Sequence, residues 1–292
     1  MSEVSPEKIR ELKLIANKIR EWTIKMTYAA KSGHPGGSLS AAEIFAVLYF
    51  HEMRVDPNNP EWPDRDRFVL SKGHASPAYY AALALRGFFP EEELLTFRKI
   101  SSRLQGHPSL MVPGVDMCTG SLGQGLSAAI GMALAAKLDK KDYRVYALLG
   151  DGEIEEGNIW EAALTASTRK LDNLVAIIDR NMIQLDDFTD RMIILDPLEE
   201  KWDAFGWKVM SINGHDVVQI IHALNEAKKE KGRPSVIIAH TVKGKGVSYM
   251  ENTAILHTGA LTNADRMYIT SHHSHGPDGA MFTDFNITNY QS

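Results

Sequence analysis

An aspartate and an asparagine thirty residues apart carry the most chemistry-bearing pattern in this chain. Asp151 sits in Gly150-Asp151-Gly152, directly after the apolar run Tyr143 to Leu149, and Asn181 follows a second run, Leu174 to Asp179. Glycines at such a turn present bare backbone N–H groups, a cradle for phosphate, yet a carboxylate beside a phosphate repels it unless a cation lies between them. The residue types therefore point to a metal-bridged phosphate. Mg²⁺ takes about six oxygen ligands, which Asp151, the amide oxygen of Asn181, a nearby carbonyl such as that of Ile183, two phosphate oxygens and a water would supply. Gly-Asp-Gly by itself is also an ordinary strand-end turn, and the spacing to Asn181 is what sets this one apart.

Both apolar runs have strand length, and a helical pattern from about Gly157 to Lys170 joins them, so the stretch predicts one strand, helix, strand unit of a parallel sheet. Ligands in such sheets sit beyond the carboxyl ends of the strands, where Asp151 and Asn181 would both lie. Further strands are expected at Arg67 to Leu70, Trp207 to Ile212 and Ser235 to Ala239, with helices from Ser5-Pro6 to about Ser32, from near Ser40, over Ala75 to Leu85, Pro90 to Arg98, Leu126 to Leu138, Pro197 to Phe205 and Val217 to Lys229. The fold class is therefore α/β, an open, mostly parallel sheet flanked by helices. Histidines recur at the loops of this plan. His34 lies in the glycine-rich Gly33 to Ser38, His74 follows the first strand in Ser71-Lys72-Gly73-His74, and His107 lies in the long irregular segment Ser101 to Gly120. Each is also readable as a turn histidine, although irregular segments of that length are often functional. Ser121 to Gly125 leads into the alanine-rich helix, whose N-terminal amides could face an anion. The glycines and lysines of His240 to Gly246 could serve a phosphate or form a solvated basic turn.

The 292 residues are 44% apolar with a formal net charge of −5, enough to bury a sizeable core and without the basic patch that a nucleic-acid partner would need. No apolar run has the length of a membrane span, and the charged opening MSEVSPEKIRELK lacks the apolar stretch of a secretory signal. Cys118, the single cysteine, cannot form an internal disulfide. A soluble cytoplasmic enzyme is expected. Tyr268 to Ser292 has little periodicity; its His272, His273 and His275 can take up metal adventitiously, and it is read as a mobile or partner-packed terminus with no assigned chemistry.

Five motifs in order resemble the amino-terminal half of transketolases: SGHPGGSLS from Ser32, SKGHASPAYYAAL from Ser71, GHP from Gly106, PGVDMCTGSLGQGLS from Pro113 and GDGEIEEGNIWEA from Gly150. The resemblance covers roughly the first 250 residues, and it implies a thiamine diphosphate-binding domain over 1–265 followed by a tail over 266–292. It further implies thiamine diphosphate with Mg²⁺ or Ca²⁺ held by Asp151, Asn181 and the Ile183 carbonyl. Gly120, Leu122, Gly150 and Gly152 would line the cofactor, and His74 and His257 would approach it or the reaction centre. His34 and His107 would bond the donor's hydroxyls and move protons. Glu156 would join a proton relay between cofactors and Glu161 would be buried at a dimer interface, where a plain helix N-terminal pair is the alternative. His257-Thr258-Gly259 stands where the family has His-Gly, so that assignment rests on its distance from Met250-Glu251-Asn252.

In transketolases the glutamate that activates the aminopyrimidine of the cofactor belongs to the second half of the protein. The resemblance thus implies one subunit of a split, heteromeric transketolase. A pyrimidine-binding partner would carry the catalytic glutamate, in an α2β2 assembly that moves a two-carbon ketol unit between sugars or sugar phosphates. Two alternatives stand beside it. One is the α-type subunit of another split thiamine enzyme, such as a 2-oxoacid dehydrogenase, which polyol-binding histidines fit less well; the other is a non-catalytic cofactor-binding module.

Overall fold

A computed structural model of the chain describes residues 4–185 and 187–253. The first helix, α1 (Pro6–Ala30), starts where Ser5 Oγ accepts a hydrogen bond from the Lys8 amide at 3.2 Å and proline fills the first turn. It buries Leu12, Ala16, Ile19, Thr23 and Met26, as its periodicity predicts. Then follow α2 (Pro35–Leu39), α3 (Ala42–Val47), β1 (Arg67–Leu70), α4 (Ser76–Arg86), α5 (Gln124–Leu138), β2 (Val145–Gly150), α6 (Gly157–Thr168) and β3 (Leu174–Arg180). The remainder comprises β4 (Ile183–Gln184), β5 (Asp187–Phe188), α7 (Thr189–Met192), α8 (Leu198–Ala204), β6 (Lys208–Asn213), α9 (Val217–Lys229) and β7 (Ser235–His240).

Five strands form one parallel sheet in the order β1-β2-β3-β7-β6. Side chains alternate across it. Val175 and Ile177 of β3 pack with Phe45, Phe68 and Tyr79 on the side of α1, α3, α4 and α9, while Leu174, Ala176 and Ile178 pack with Leu126, Ile159 and Trp202 on the side of α5, α6 and α8. Burial on both faces is why the strands read as continuous apolar runs rather than alternating ones. Register then sets the site: Gly150 lies opposite Asp179, and Arg180 opposite His240, so the loops after β2, β3 and β7 leave one edge of the sheet side by side.

Two local structures differ from the sequence expectation. The glycine-rich stretch at His34 is not an open loop: Pro35 occupies the first helical position and presets its φ, Ser38 Oγ donates to the His34 carbonyl at 2.9 Å, and a short helix forms that ends before α3. After β3 the chain makes the antiparallel pair β4–β5, whose two-residue strands are too short to leave a periodicity.

Candidate active site

The turn after β3 folds Asn181 and Ile183 toward Asp151. Met182, between them, has φ 66°, a left-handed conformation that costs a non-glycine residue about 1 kcal/mol or more. Its amide donates to Asp151 Oδ2 at 2.6 Å, and the Gly152 amide donates to Oδ1 at 2.9 Å. Asn181 Oδ1 accepts from the Ile183 amide at 3.2 Å, and its Nδ2 donates to Asp179 Oδ2 at the same distance, which fixes which end of the amide faces which neighbour. The Ile183 carbonyl accepts from Lys243 Nζ at 3.1 Å.

Burial, and then the nearby charge of Asp179, push the Asp151 carboxyl up to about 6 against the pull of its two backbone donors. A positive charge placed beside it would relieve both causes. Carboxylate, amide oxygen and backbone carbonyl make an all-oxygen set suited to a hard divalent cation, and the carbonyl already accommodates the Lys243 ammonium. The residues present thus fit a metal-bridged diphosphate. Among the described residues there is no group of three or more His, Cys, Asp and Glu side chains disposed to hold a metal, so a cation here depends on the amide, the carbonyl and ligand oxygens.

Asp179 is the hub beneath. Fully buried, it accepts from Ser40 Oγ at 2.6 Å, from Asn181, and from Lys72 Nζ and Thr241 Oγ1. Burial pushes its carboxyl up, but Lys72 and the hydrogen-bond donors outweigh this and hold it below the usual carboxylate range. Glu153 ties three segments in a similar way, accepting from Ser71 Oγ at 2.5 Å, the Gly123 amide at 2.8 Å and the Gly150 amide at 2.9 Å. Burial nevertheless leaves its carboxyl raised.

The histidines meet as expected: the His34 ring lies 5.3 Å from that of His74 and 6.3 Å from that of His107, centroid to centroid. Burial, followed by His107, Arg98 and Lys243, lowers His34 to about 4, and burial and Arg98 lower His107. The loop that carries His107 is pinned to α4, with Tyr80 Oη donating to the His107 carbonyl at 3.0 Å and Ser76 Oγ to the Gly106 carbonyl at 2.8 Å. Gly120 closes the cluster. Its φ of 148° and the 3.0 Å between a built Cβ and His107 Cδ2 admit only glycine without displacement of the ring. Leu122 is partly exposed on the adjoining turn, and Glu156 and Glu161 are exposed at the start and on the outer face of α6. His257, the tail and the boundary at 265 lie outside the described residues.

Sequence reasoning missed Lys72, Asp179 and Glu153 as parts of the site, and left Lys243 open between a phosphate-serving loop and a solvated basic turn. Lys72 and Lys243 were visible at strand ends, and a lysine or acid at the end of an otherwise apolar strand is the signal that could have found them.

A family model described as the transketolase, thiamine diphosphate binding domain matches residues 11–288. The chain belongs to this transketolase family. It is 50% identical over 248 residues to the 6-deoxy-6-sulfo-D-fructose transketolase subunit SqwG of Clostridium sp. (strain MSTE9), covering 85% of this chain and 90% of that protein. It is 46% identical over 254 residues to an apulose-4-phosphate transketolase subunit of Phocaeicola vulgatus, with 87% and 90% covered. Against human transketolase it is 49% identical over 252 residues, 86% of this chain but 40% of that one. The crystal structure of transketolase from Campylobacter jejuni superposes with a TM-score of 0.83 at 38% identity, covering 87% of this chain and 41% of that chain. By class, then, the chain is a transketolase, akin along most of its length to chains named as transketolase subunits. The 2-oxoacid dehydrogenase alternative is not favoured. No helix among the described residues is long and apolar enough to cross a membrane.

Proposed function

We propose that this chain is the diphosphate-binding subunit of a two-chain transketolase that moves a two-carbon ketol unit from a ketose to an aldose. The observation that carries the reading is the convergence at one sheet edge of an oxygen-donor set around Asp151 and a cluster of three histidines. Asp151, Asn181 and the Ile183 carbonyl would hold Mg²⁺ or Ca²⁺, with Gly150, Gly152, Gly120, Leu122, His74 and Lys243 around the cofactor. When bound, thiamine diphosphate supplies a thiazolium carbon that takes and returns the two-carbon unit. This chain supplies the surroundings. His34, held neutral at pH 7 by burial, can accept a proton or hydrogen bond from a sugar hydroxyl, and His107 faces the same space. His257 is proposed for the same region, Glu156 for a proton relay between cofactors, and Glu161 for a dimer interface.

The subunit names of the two relatives matched over nine-tenths of their length support a partner that carries the pyrimidine-binding domain and the activating glutamate. Exposed apolar side chains at Leu138, Leu164, Met192, Ile193 and Ile194 offer surface for such contacts, in keeping with an α2β2 assembly. Those relatives act by name on a sulfonated and a phosphorylated sugar, which supports an anionic sugar as substrate. The single cysteine is in keeping with a cytoplasmic location. The test is calorimetric titration of the chain, captured with its partner, with thiamine diphosphate in the presence and absence of Mg²⁺. Metal-dependent binding that Asp151→Asn abolishes supports the reading. Binding indifferent to metal and to that substitution contradicts it.

A further inference from the structure

A buried ionic relay outside the site grips the loop that brings Lys243 into it. Glu43 of α3 accepts two hydrogen bonds from Arg20 Nη2 of α1, at 2.7 and 2.6 Å, and one from His215 Nδ1 at 3.0 Å. On its far side His215 Nε2 lies 2.8 Å from the amide nitrogen of Val242, and Arg20 Nε donates to the carbonyl of Lys245 at 3.1 Å. A backbone N–H can only donate, so Nε2 is the acceptor and the ring proton sits on Nδ1, facing Glu43. Two residues radiating from one carboxylate thus clasp the backbone on either side of Lys243 and Gly244. Between those clasps Lys243 Nζ reaches the Ile183 carbonyl, and the Gly244 amide donates to the Gly36 carbonyl at 3.0 Å, in the helix that follows His34.

A fold needing only stability at this place has a simpler solution. The next stretch of the same segment is held by apolar packing, with Val247 and Met250 against Ile24 and Leu39. Burying an arginine, a glutamate and a histidine is costly unless each is fully paired, and its return is directional: hydrogen bonds fix a backbone where apolar contact lets it slide. We propose that His215 is a positioning residue of the cofactor site, which with Glu43 and Arg20 fixes the loop over 241–246 so that the Lys243 ammonium is aimed at the site of the diphosphate and its metal. The inference rests on the cofactor reading above and extends it to groups that touch neither cofactor nor substrate.

His215→Phe removes both ring hydrogen bonds at similar volume, whereas the side-chain amide of His215→Gln can present an acceptor to Val242 and a donor to Glu43. In the full chain, hydrogen exchange of the 241–247 amides is expected to accelerate at least tenfold in the phenylalanine variant and to stay near wild type in the glutamine variant. In the complex with its partner, His215→Phe is expected to weaken apparent thiamine diphosphate affinity by about tenfold, the range found when outer groups supporting a bound ion are removed, with turnover at saturating cofactor within twofold of wild type. A lowered melting temperature in both variants, with exchange over 241–247 and cofactor affinity unchanged, would show a merely structural role and overturn the proposal. Wild-type complex that binds no thiamine diphosphate would overturn the cofactor reading itself, and this inference with it.

Discussion

Replacing Asp179 by asparagine removes the negative charge opposite Lys72 while keeping side-chain size. The Lys72 ammonium is 1% exposed and bonds to Asp179 and to the Gly37 carbonyl at 2.7 Å, so the variant leaves a buried cation without its directly bonded counter-charge. Breaking a buried pair from one side costs about 3–5 kcal/mol, roughly a fifth or more of the stability of an ordinary domain. With a urea slope of about 3 kcal/mol per molar for a chain of this size, the unfolding midpoint falls by roughly 1–1.7 M. Lys72→Met, which strands the aspartate instead, is expected to cost a similar amount, and the double variant Lys72→Met/Asp179→Asn less than the sum by about 2 kcal/mol or more. Urea denaturation of the four proteins, followed by far-ultraviolet circular dichroism, closes the cycle. Additive losses, or a loss below about 1 kcal/mol for Asp179→Asn, would refute the claim that this pair is coupled and that Asp179 is the hub of the site.

His34 should titrate near 4 by nuclear magnetic resonance, and because its folded pKa lies below the ordinary 6.5, its contribution to stability is present above that value and lost as pH falls toward 4. Arg98→Gln is expected to move His34 and His107 upward in the same titration. Glu43, which Arg20 and His215 hold at about 2 against the opposing effect of burial, contributes stability that is lost as pH falls from 4.5 through 2, on the order of 3 kcal/mol, measurable as an acid-limb loss that Glu43→Gln removes. Gly120→Ala should cost about 1–2 kcal/mol in denaturant unfolding and displace the His107 ring, visible as a changed His107 resonance. Lys243→Met is expected to weaken thiamine diphosphate binding at least tenfold by calorimetry while the melting temperature stays within a few degrees.

The sheet was legible because both its faces are covered: strands such as Leu174 to Arg180 are wholly buried and therefore read as unbroken apolar runs. Asp151 and Asn181 were legible because each interrupts a pattern at a strand end. Of the three histidines only His74 follows a strand, while His34 lies between α1 and α2 and His107 between α4 and α5, so nothing in the local sequence gives the 5.3 and 6.3 Å between their rings. The polar hub was not legible. Asp179 reads as the last residue of an apolar strand, and its partners Ser40, Lys72 and Thr241 come from three distant segments, the nearest 62 residues away. The His215–Glu43–Arg20 relay was hidden for the same reason, since its three members come from separate segments of the chain. Pairing that is long-range and ionic leaves no periodicity behind.

The most direct test of the central claim is to recover this chain from its native host under mild conditions with thiamine diphosphate and Mg²⁺, identify what co-purifies, and assay ketol transfer with each chain alone and with both. A stoichiometric partner carrying a pyrimidine-binding domain is expected, with activity only when the two chains are combined. Recovery as a partner-free oligomer without turnover would contradict it.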